Sequence, residues 1–260
     1  MQKPVVWITG ASSGIGAAVA KQYAQKGYRL ILSSRREDAL QAVADQCHST
    51  EVFLLPFDLT ATQKAPEHVQ KAIAAFGQVD ILINNGGISQ RSLIEDTKFE
   101  VYARLMEVDY LGTVALSVAL LPHFIERQKG HYVAVSSIMG KFSSPYRAGY
   151  CAAKHALHGF FDAMRMEQEK NGIHVTMICP GFINTQVSAN AITGNGTPLG
   201  KSDRGTKLGV DADRCARRIV RAIDHKKWEV NIGRKELLGI YLKRLSNKWT
   251  HRVVMKSQVR

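Results

Sequence analysis

The stretch Val5-Val6-Trp7-Ile8-Thr9-Gly10-Ala11-Ser12-Ser13-Gly14-Ile15-Gly16 decides the fold of this 260-residue chain. It opens with four apolar residues, mostly β-branched, which favour a buried strand, and a helical pattern follows it. Glycine adopts backbone conformations closed to other residues and lets a diphosphate approach closely, while the helix N-terminus offers free N–H groups. We therefore predict a strand, a phosphate-binding turn and a helix; the alternative is a structural turn without a ligand. The residues predicted to contact the ligand are Gly10, Ser12, Ser13, Gly14, Ile15 and Gly16.

Apolar strand patterns alternate with helical stretches along the rest of the chain. This alternation predicts an α/β fold: a single-domain Rossmann-type, doubly wound parallel sheet of about seven strands in residues 1–235. Strands are expected near 4–9, 28–34, 51–56, 79–84, 130–136, 173–179 and 228–232. Helices are expected near 14–26, 37–47, 62–76, 99–127, 149–171 and 211–225. Ligands of such a sheet lie beyond the carboxyl ends of the strands.

Tyr150 and Lys154 lie four residues apart in an Ala-rich segment that reads as a helix, and Ser137 precedes Tyr150 by thirteen residues. On a helix this spacing puts the phenol and the ammonium on one face. A fixed positive charge nearby favours the phenolate and makes a tyrosine a usable proton donor or acceptor. Taken alone, the same spacing also arises by chance on solvated helices.

Five ordered motifs together resemble the short-chain dehydrogenase/reductase family over roughly residues 4–232. They are Thr9-Gly10-x-x-x-Gly14-x-Gly16, Asn84-Asn85-Gly86-Gly87, Val135-Ser136-Ser137, Tyr150-x-x-x-Lys154 and Pro180-Gly181-Phe182-Ile183-Asn184-Thr185. Details after Asn85 and Ser188 look like the member-7 branch of the dehydrogenase/reductase group, which is related to the hydroxysteroid dehydrogenases.

The resemblance implies hydride transfer between a nicotinamide cofactor and a carbonyl or secondary alcohol. Ser137 would hydrogen-bond the substrate oxygen, Tyr150 would exchange a proton with it, and Lys154 would assist Tyr150 and hold the nicotinamide ribose. Ser136 competes with Ser137 for the first role, but the thirteen-residue offset favours Ser137. Further cofactor contacts are expected from Asp58, Leu59, Asn84, Gly86, Pro180, Gly181, Ile183 and Thr185; Asp58 is alternatively a helix cap.

The segment Val108-Asp109-Tyr110-Leu111-Gly112 departs from the family, which usually has Asn where this chain has Asp109. In the family this Asn marks a helix kink whose carbonyl helps to hold a water leading to the lysine. An ionised Asp109 near Lys154 would favour the ammonium and weaken its effect on Tyr150. We therefore count Asp109 with the candidate catalytic residues and expect activity with an altered pH profile.

Cofactor choice depends on the end of the second strand, which reads Ser33-Ser34-Arg35-Arg36. A carboxylate there would bind the ribose 2′-hydroxyl of NAD, whereas a guanidinium suits a 2′-phosphate. Arg35 and Arg36 therefore predict NADP(H), preferred over NAD(H), unless both are merely solvated residues ahead of a helix.

Residues 186–210 are rich in Gly, Thr, Ser and Asn, which predicts a lid over the site. We expect an apolar, steroid-like or lipid-like carbonyl substrate. The alternatives are a 3-oxoacyl thioester and, in another class, a cofactor-binding regulatory or scaffold protein without catalysis. Arg147, His155 and His158 are interpreted as surface or packing residues.

The net charge of +13 is concentrated in residues 201–260, which hold seventeen Lys or Arg and six Asp or Glu. No nucleic-acid module and no metal-ligand spacing accompany this charge, so neither nucleic acid nor a metal is expected. Residues 236–260 predict a basic amphipathic helix, for which packing on the protein's own core, its lid or a partner subunit is favoured over peripheral membrane contact.

The remaining expectations concern environment and assembly. The four scattered cysteines are interpreted as reduced and structural, in a cytoplasmic protein. The sequence starts its first strand at once, which leaves no room for a signal peptide, and no apolar run is long enough to span a membrane. The long helices near 99–127 and 149–171 suggest a homodimer or homotetramer.

Overall fold

Seven strands form one parallel sheet in the computed structural model, which describes residues 3–201 and 204–257. They are β1 (Val5–Thr9), β2 (Arg29–Ser33), β3 (Val52–Leu54), β4 (Ile81–Asn84), β5 (Gly130–Val135), β6 (Ile173–Pro180) and β9 (Glu229–Ile232). Two short strands, β7 (Ile183–Asn184) and β8 (Val210–Asp211), pair separately. The order in the main sheet is β3-β2-β1-β4-β5-β6-β9, and every neighbouring pair is parallel. The predicted doubly wound α/β sheet is confirmed.

Ten α-helices connect or flank these strands in the described part of the chain. They are α1 (Gly14–Gln25), α2 (Glu37–Ala44), α3 (Ala65–Phe76), α4 (Phe99–Met106), α5 (Gly112–Glu126), α6 (Ala148–Gln168), α7 (Arg204–Lys207), α8 (Ala212–Asp224), α9 (Leu238–Leu245) and α10 (Asn247–Lys256). The helix expected at 62–76 begins with a 3₁₀ turn, and the one expected at 149–171 ends with another.

The strand β1 is fully buried because both faces of the sheet are covered. Its successive side chains point to opposite faces, so Val6 and Ile8 pack in the cluster with α1, α2 and α8. Val5 and Trp7 pack in the other cluster, with α3, α5 and α6. A parallel sheet covered on both sides therefore explains the unbroken apolar run at the start of the chain.

The helix expected at 99–127 is interrupted by a π-helical turn, Glu107–Leu111, which joins α4 to α5. Asp109 lies within this turn and is completely buried. The whole stretch Phe99–Glu126 is the one described helix that is long and apolar enough to cross a membrane. Here Leu116, Leu120 and Phe124 pack against the sheet, which makes it a core helix of this fold.

The single helix predicted over 236–260 is instead two helices, α9 and α10, and residues 258–260 lie outside the described part. The backbone of Ser246 between them is extended, and its Oγ accepts a hydrogen bond from the Trp249 N–H (3.3 Å). Within this chain the apolar stripe is mostly not packed on the core or lid, since only Ile240 among its members is buried; packing on a partner subunit stays a prediction. The exposed members are Leu238, Tyr241, Leu245, Trp249 and Val253.

The direction of the strand order reverses between β1 and β4, so a crevice opens beyond their carboxyl ends. The two chain segments leaving these strands approach each other closely. A Cβ added to Gly10 would lie 2.7 Å from the Gly86 Cα. Only glycine fits at this position, and the site is built around it.

Candidate active site

One large cavity of about 1430 Å³ occupies the crevice. It extends from the turn after β1 to α9 and α10, and residues of the 186–210 segment line it, including Val187, Asn190 and Ile192. Residues 202 and 203 of that predicted lid lie outside the described part. The volume exceeds that of an ordinary small-ligand pocket, which leaves room for a dinucleotide together with a second molecule.

The glycine turn has the geometry expected for binding a diphosphate. Gly10 and Gly14 have φ angles of +63° and +55°, which disfavour residues with a Cβ. The N-cap residue Ser13 makes no side-chain hydrogen bond to the start of α1, so the helix N-terminus can bind an anion. The turn residues that line the cavity are Gly10, Ser12, Ser13, Gly14 and Ile15.

Gly16 does not line the cavity, contrary to the prediction. A Cβ there would lie 2.3 Å from the Gly10 carbonyl oxygen and 2.6 Å from the Asn85 Nδ2. Gly16 is therefore required for the close packing of α1 against the turn and has no direct contact with the cavity.

The structure places Ser137, Tyr150 and Lys154 on the wall of the same cavity. Ser137 follows β5, and its hydroxyl donates to the Pro180 carbonyl (3.3 Å) and accepts from the Met139 N–H (3.1 Å). The neighbouring Ser136 hydroxyl is directed into the protein, where it donates to the Lys154 carbonyl (3.1 Å). This arrangement favours Ser137 over Ser136 as the serine facing a substrate.

Tyr150 and Lys154 lie on successive turns of α6, as their spacing predicts. The Lys154 Nζ lies 5.6 Å from the centroid of the Tyr150 ring. It donates a hydrogen bond to the Val135 carbonyl (3.2 Å) and forms an ion pair with the Asp109 Oδ2 (3.5 Å). The ammonium is thus held beside the phenol by groups from β5 and the π-helical turn.

Asp109 does not line the cavity but contacts Lys154 from the protein interior. Its Oδ1 accepts a hydrogen bond from the Ile88 N–H (2.7 Å). Burial raises the pKa of the Asp109 carboxyl, whereas the Lys154 ammonium and the Ile88 N–H oppose this rise. A Cβ added to Gly87 would lie 3.1 Å from Asp109 Oδ1 and 3.3 Å from Lys154 Nζ. A side chain at position 87 would therefore crowd the Asp109–Lys154 ion pair, and glycine avoids this contact.

Asn84 was expected to contact the cofactor, and the structure places it elsewhere. Its side chain is buried and donates to the Ser117 Oγ (3.0 Å) on α5. The next residue, Asn85, lines the cavity, and its Nδ2 donates to the carbonyls of Thr9 and Gly10 (3.1 Å each). Side chains alternate in direction along a strand, and β4 ends with Asn84 directed into the core.

The far end of the cavity carries the residues expected to set cofactor choice. Arg35 and Arg36 line it and are exposed, directly after β2. Asp58 and Leu59 line it beside them. Partial burial opposes ionisation of Asp58, but hydrogen bonds from Thr60 and the nearby Arg104 guanidinium (3.6 Å) hold its pKa below the usual value. Besides lining the cavity, Asp58 therefore connects α4 to the loop that follows β3.

The predicted motif residues after β6 complete the wall. Pro180, Gly181, Ile183 and Thr185 all line the cavity. A Cβ added to Gly14 would meet the Thr185 side chain at 3.2 Å, so the loop after β6 lies directly over the glycine turn. A cofactor held at the turn would therefore also be contacted from this loop.

Gln90 is a residue that the sequence did not reveal. It is fully buried, and its Oε1 accepts hydrogen bonds from the backbone N–H groups of Gly149 (2.8 Å) and Tyr150 (3.3 Å). Its Nε2 donates to the Ser92 Oγ (3.1 Å). Gln90 therefore caps the N-terminus of the helix that carries Tyr150, from a loop some sixty residues earlier. No local pattern could have predicted this contact.

Arg147 was interpreted as a surface or packing residue; the structure excludes the surface position and adds a contact with the cavity. It is 4% exposed, lines the cavity, and donates to the Ser144 Oγ (3.1 Å). It directly precedes α6, which puts a buried guanidinium three residues from Tyr150. Its position at the N-cap of a Tyr-x-x-x-Lys helix, three residues before Tyr150, was the available signal.

His158, Cys179 and Glu229 form a cluster of metal-ligand types, with one atom from each within 4.8 Å of the others. Lys141 already forms an ion pair with the Glu229 carboxylate. Burial lowers the pKa of His158 to about 4 and raises the pKa of the Cys179 thiol to about 12. The carboxylate is therefore neutralised by Lys141, and the thiol is protonated at neutral pH.

The sheet order, the glycine turn and the Ser137–Tyr150–Lys154 wall define a nicotinamide-binding oxidoreductase site. The family model for the short chain dehydrogenase matches residues 4–195, and the chain belongs to this family. The chain is 41% identical over 248 residues to "Dehydrogenase/reductase SDR family protein 7-like" of Drosophila melanogaster, with 93% of this chain and 76% of the relative covered. It is 40% identical to human "Dehydrogenase/reductase SDR family member 7", over 94% of this chain and 75% of the relative.

Solved structures show the same fold. A short-chain dehydrogenase from Streptomyces avermitilis aligns with a TM-score of 0.82 at 27% identity, covering 100% of this chain and 99% of the other. An alcohol dehydrogenase from Thermococcus sibiricus complexed with 5-hydroxy-NADP aligns with a TM-score of 0.76 at 25% identity, over 89% and 97%. A short chain dehydrogenase/reductase from Burkholderia phymatum in complex with NAD gives 0.85 at 21% identity, over 95% of both chains.

The residues of this chain fit a nicotinamide dinucleotide. The positive φ angles at Gly10 and Gly14 and the uncapped start of α1 suit the diphosphate. Lys154 and Tyr150 line the same cavity as Arg35. Along the sheet edge, the Arg35 end and the Tyr150–Lys154 end of this cavity are separated by the ends of four strands, from β2 to β5. The chain therefore has both a binding turn and a reactive wall for such a cofactor.

Proposed function

We propose that this protein is an NADP(H)-dependent dehydrogenase/reductase that interconverts a carbonyl and a secondary alcohol on an apolar, lipid-like or steroid-like substrate. The observation that carries the proposal is the shared cavity, which brings Ser137, Tyr150 and Lys154 together with the glycine turn. The bound nicotinamide would supply or accept the hydride.

The protein's own groups would handle the substrate oxygen and its proton. In reduction, the Ser137 hydroxyl donates a hydrogen bond to the oxygen as it becomes negative, and the Tyr150 hydroxyl gives it a proton. The Lys154 ammonium stabilises the phenolate that remains, and the Val135 carbonyl and Asp109 keep the ammonium in place. In oxidation the Tyr150 phenolate takes the proton back.

Two features support the finer parts of the proposal. Arg35 and Arg36 line the cavity where NAD-selective sites carry a carboxylate, and a guanidinium matches a 2′-phosphate. The substrate end is lined by apolar side chains, which favour an apolar molecule. They are Ile88, Met139, Phe142, Val187, Ile192, Leu238, Leu242 and Val253.

The activity test follows NADPH absorbance with a panel of apolar ketones, alongside a 3-oxoacyl thioester. We expect turnover of at least one apolar ketone, and Tyr150→Phe should reduce kcat by at least ~10²-fold because it removes the proton donor. NADPH binding, measured by fluorescence titration, should persist in the variant. Unchanged turnover by Tyr150→Phe would contradict the assigned role. Turnover of the thioester alone would replace the substrate class, and NADPH binding without turnover of any substrate would favour the non-catalytic alternative.

We also propose a homo-oligomer. Leu111 at the end of the π-helical turn, Val118 on α5 and Met166 on α6 are exposed, and Met166 is 74% exposed. Pairing these faces between two copies would remove apolar surface from water. Light scattering coupled to gel filtration tests this, and Val118→Glu should shift the mass towards the monomer.

A further inference from the structure

The last two helices expose apolar side chains in a regular arrangement. Leu238, Tyr241 and Leu245 follow one face of α9, and Leu245 is 76% exposed. Trp249 and Val253 follow one face of α10, and Trp249 is 57% exposed. We call α9 and α10 the C-terminal helix pair. Exposed apolar groups of this size in one segment mark a contact surface more often than isolated residues do.

The helix pair is fixed to the body of the protein, so these side chains cannot turn inward. Ile240 and Val254 pack against Ile138 and Phe142. A Cβ added to Gly239 would lie 2.6 Å from the Phe142 ring. The opposite faces of both helices are thus already used for anchoring.

The charge around the apolar faces is almost entirely positive. Residues 234–257 contain seven Lys or Arg and a single acid, Glu236. The Glu236 carboxylate is directed inward, where it accepts a hydrogen bond from the Phe182 N–H (3.1 Å). The cations beside the apolar faces are exposed: Lys243, Arg244, Lys248, Arg252 and Lys256. Apolar faces flanked by Lys and Arg are typical of helices that lie in a membrane interface.

The same surface is continuous with the cavity. Leu238 and Val253 are exposed members of the helix pair and also line the cavity, together with Leu242 and Val254. The helix pair therefore forms part of the rim of the catalytic cleft. Whatever covers the helix pair also borders the opening through which a substrate passes.

We propose that the C-terminal helix pair docks on a lipid bilayer that contains anionic headgroups, with the cavity rim against the membrane. The apolar faces enter the interface while Lys248, Arg252 and their neighbours contact lipid phosphates. A second copy is a poorer occupant, because a two-fold contact of this surface with itself would bring the two sets of cations together. Docking needs no bound cofactor and no catalysis, so it stands apart from the proposed activity.

The test measures co-sedimentation of the full chain with vesicles of phosphatidylcholine containing 30% phosphatidylserine, and with pure phosphatidylcholine vesicles. We expect binding to the anionic vesicles at 0.1 M salt that weakens at least tenfold at 0.5 M salt, because screening reduces the attraction. Binding to the neutral vesicles should be at least tenfold weaker.

Two double variants separate the apolar and ionic contributions. Leu245→Glu with Trp249→Glu, and Lys248→Glu with Arg252→Glu, should each weaken binding at least tenfold. None of these four residues lines the cavity, so NADPH binding and the urea midpoint serve as folding controls. Ile94→Glu replaces an apolar side chain that is 69% exposed on another loop and should bind like the wild type.

Three outcomes would overturn the proposal. The first is binding of both double variants to anionic vesicles as strong as that of the wild type. The second is equal binding of the wild type to neutral and anionic vesicles. The third is a dimer in solution that Leu245→Glu with Trp249→Glu converts to a monomer, which would assign the surface to a second copy.

Discussion

Asp109 stands where the family resemblance predicts Asn, directly behind the Tyr150–Lys154 pair. Its carboxyl is completely buried, 3.5 Å from the Lys154 ammonium, and burial raises its pKa. When ionised, it offsets part of the positive field that Lys154 exerts on Tyr150. When protonated, it leaves that field intact. We therefore expect a side chain outside the cavity to influence the proposed proton donor inside it.

Replacing Asp109 by Asn should retain activity and change its pH dependence. The Asn Oδ1 can still accept from the Ile88 N–H, but the negative charge beside Lys154 is lost. The phenolate of Tyr150 is then favoured more strongly, so the rising limb of the pH–rate profile for alcohol oxidation should move to lower pH. Profiles of kcat/KM for the two proteins decide this, and superimposable curves would rule out the coupling.

Arg35 should control the choice between the two nicotinamide cofactors. In Arg35→Ser the guanidinium proposed to bind a 2′-phosphate is absent, so the ratio of kcat/KM for NADPH to that for NADH should fall about tenfold or more, mainly through KM for NADPH. Arg217→Ser removes an exposed arginine of α8 that does not line the cavity and is the matched control. An unchanged ratio in Arg35→Ser would leave Arg35 as a solvated residue.

Among single residues, those whose backbone conformation forms the site are predictable from the sequence. Gly10 and Gly14 stand at positive φ angles, a requirement that is visible in the residue type. Sequence reasoning misplaces Asn84, because a motif does not show which of two adjacent side chains faces the core. The motif also predicts a ligand contact for Gly16. In the structure, the nearest atom that excludes a Cβ at Gly16 is the carbonyl oxygen of Gly10 in the same turn.

The N-terminus of α6 is the element that positions Tyr150, and Gln90 holds it. Gln90 Oε1 satisfies two N–H groups that a helix start leaves unpaired. The adjacent Arg91 N–H donates to the Ile192 carbonyl (2.9 Å), so the same loop joins the helix that carries Tyr150 to the 186–210 segment, which lines the cavity. We infer that Gln90 is a positioning residue.

Gln90→Leu should lower kcat about tenfold or more while NADPH binding is retained, because the first turn of α6 loses its cap. A cap of this kind contributes ~1 kcal/mol to stability, so the urea midpoint should fall slightly. Gln90→Glu keeps an acceptor at the same place and should restore most of the activity. A Leu variant with the wild-type kcat, or equal losses in both variants, would show that capping by Gln90 does not position Tyr150.

In the C-terminal helix pair, the amphipathic pattern predicted the helical structure but neither the break between the helices nor the direction of the apolar stripe. The apolar spacing from Leu238 to Val253 predicts helical structure correctly, but it contains no sign of the break at Ser246, a residue that is tolerated within helices. It also cannot tell which surface the stripe faces. That depends on Ile138 and Phe142, which anchor the opposite side and lie a hundred residues earlier.

Across the whole molecule, buried neutral histidines connect stability to pH. His131 is 7% exposed, and its Nε2 lies 2.8 Å from the Thr176 hydroxyl, which itself donates to the Lys227 carbonyl. Nε2 is therefore the donor to Thr176. Burial, together with His174 and Lys226, lowers the pKa of His131 to about 3. The unfolded chain takes up a proton near the ordinary pKa of ~6.5 and the folded one does not.

Stability should therefore be lost as the pH falls from about 6.5 towards 3, and His131 contributes up to ~1.4 kcal/mol per pH unit of that loss. In His131→Gln, which keeps a donor for Thr176, the slope of the unfolding free energy between pH 6 and 4.5 should decrease by about 1 kcal/mol per pH unit. Urea titrations at several pH values measure it. The exposed His48→Gln is the control, and equal slopes for wild type and His131→Gln would exclude this contribution.

The doubly wound parallel sheet was predictable at this scale because the alternation of strands and helices leaves few arrangements of a parallel sheet. The shape of the cavity was not. Its walls come from segments as distant as the turn after β1 and α10, and their approach depends on packing that no local pattern records.

Because all four cysteines are free and buried, their reaction with an alkylating reagent can report on unfolding. Cys47, Cys151, Cys179 and Cys215 are free and buried in four different elements or their ends, and burial raises the pKa of each thiol. Thiolate, the form that alkylating reagents attack, is therefore scarce in the native state. Pulsed alkylation followed by peptide mass analysis would time the opening of each region separately, without any engineered label. A cysteine introduced on the surface could in turn be modified selectively, because the four native thiols react little in the folded state.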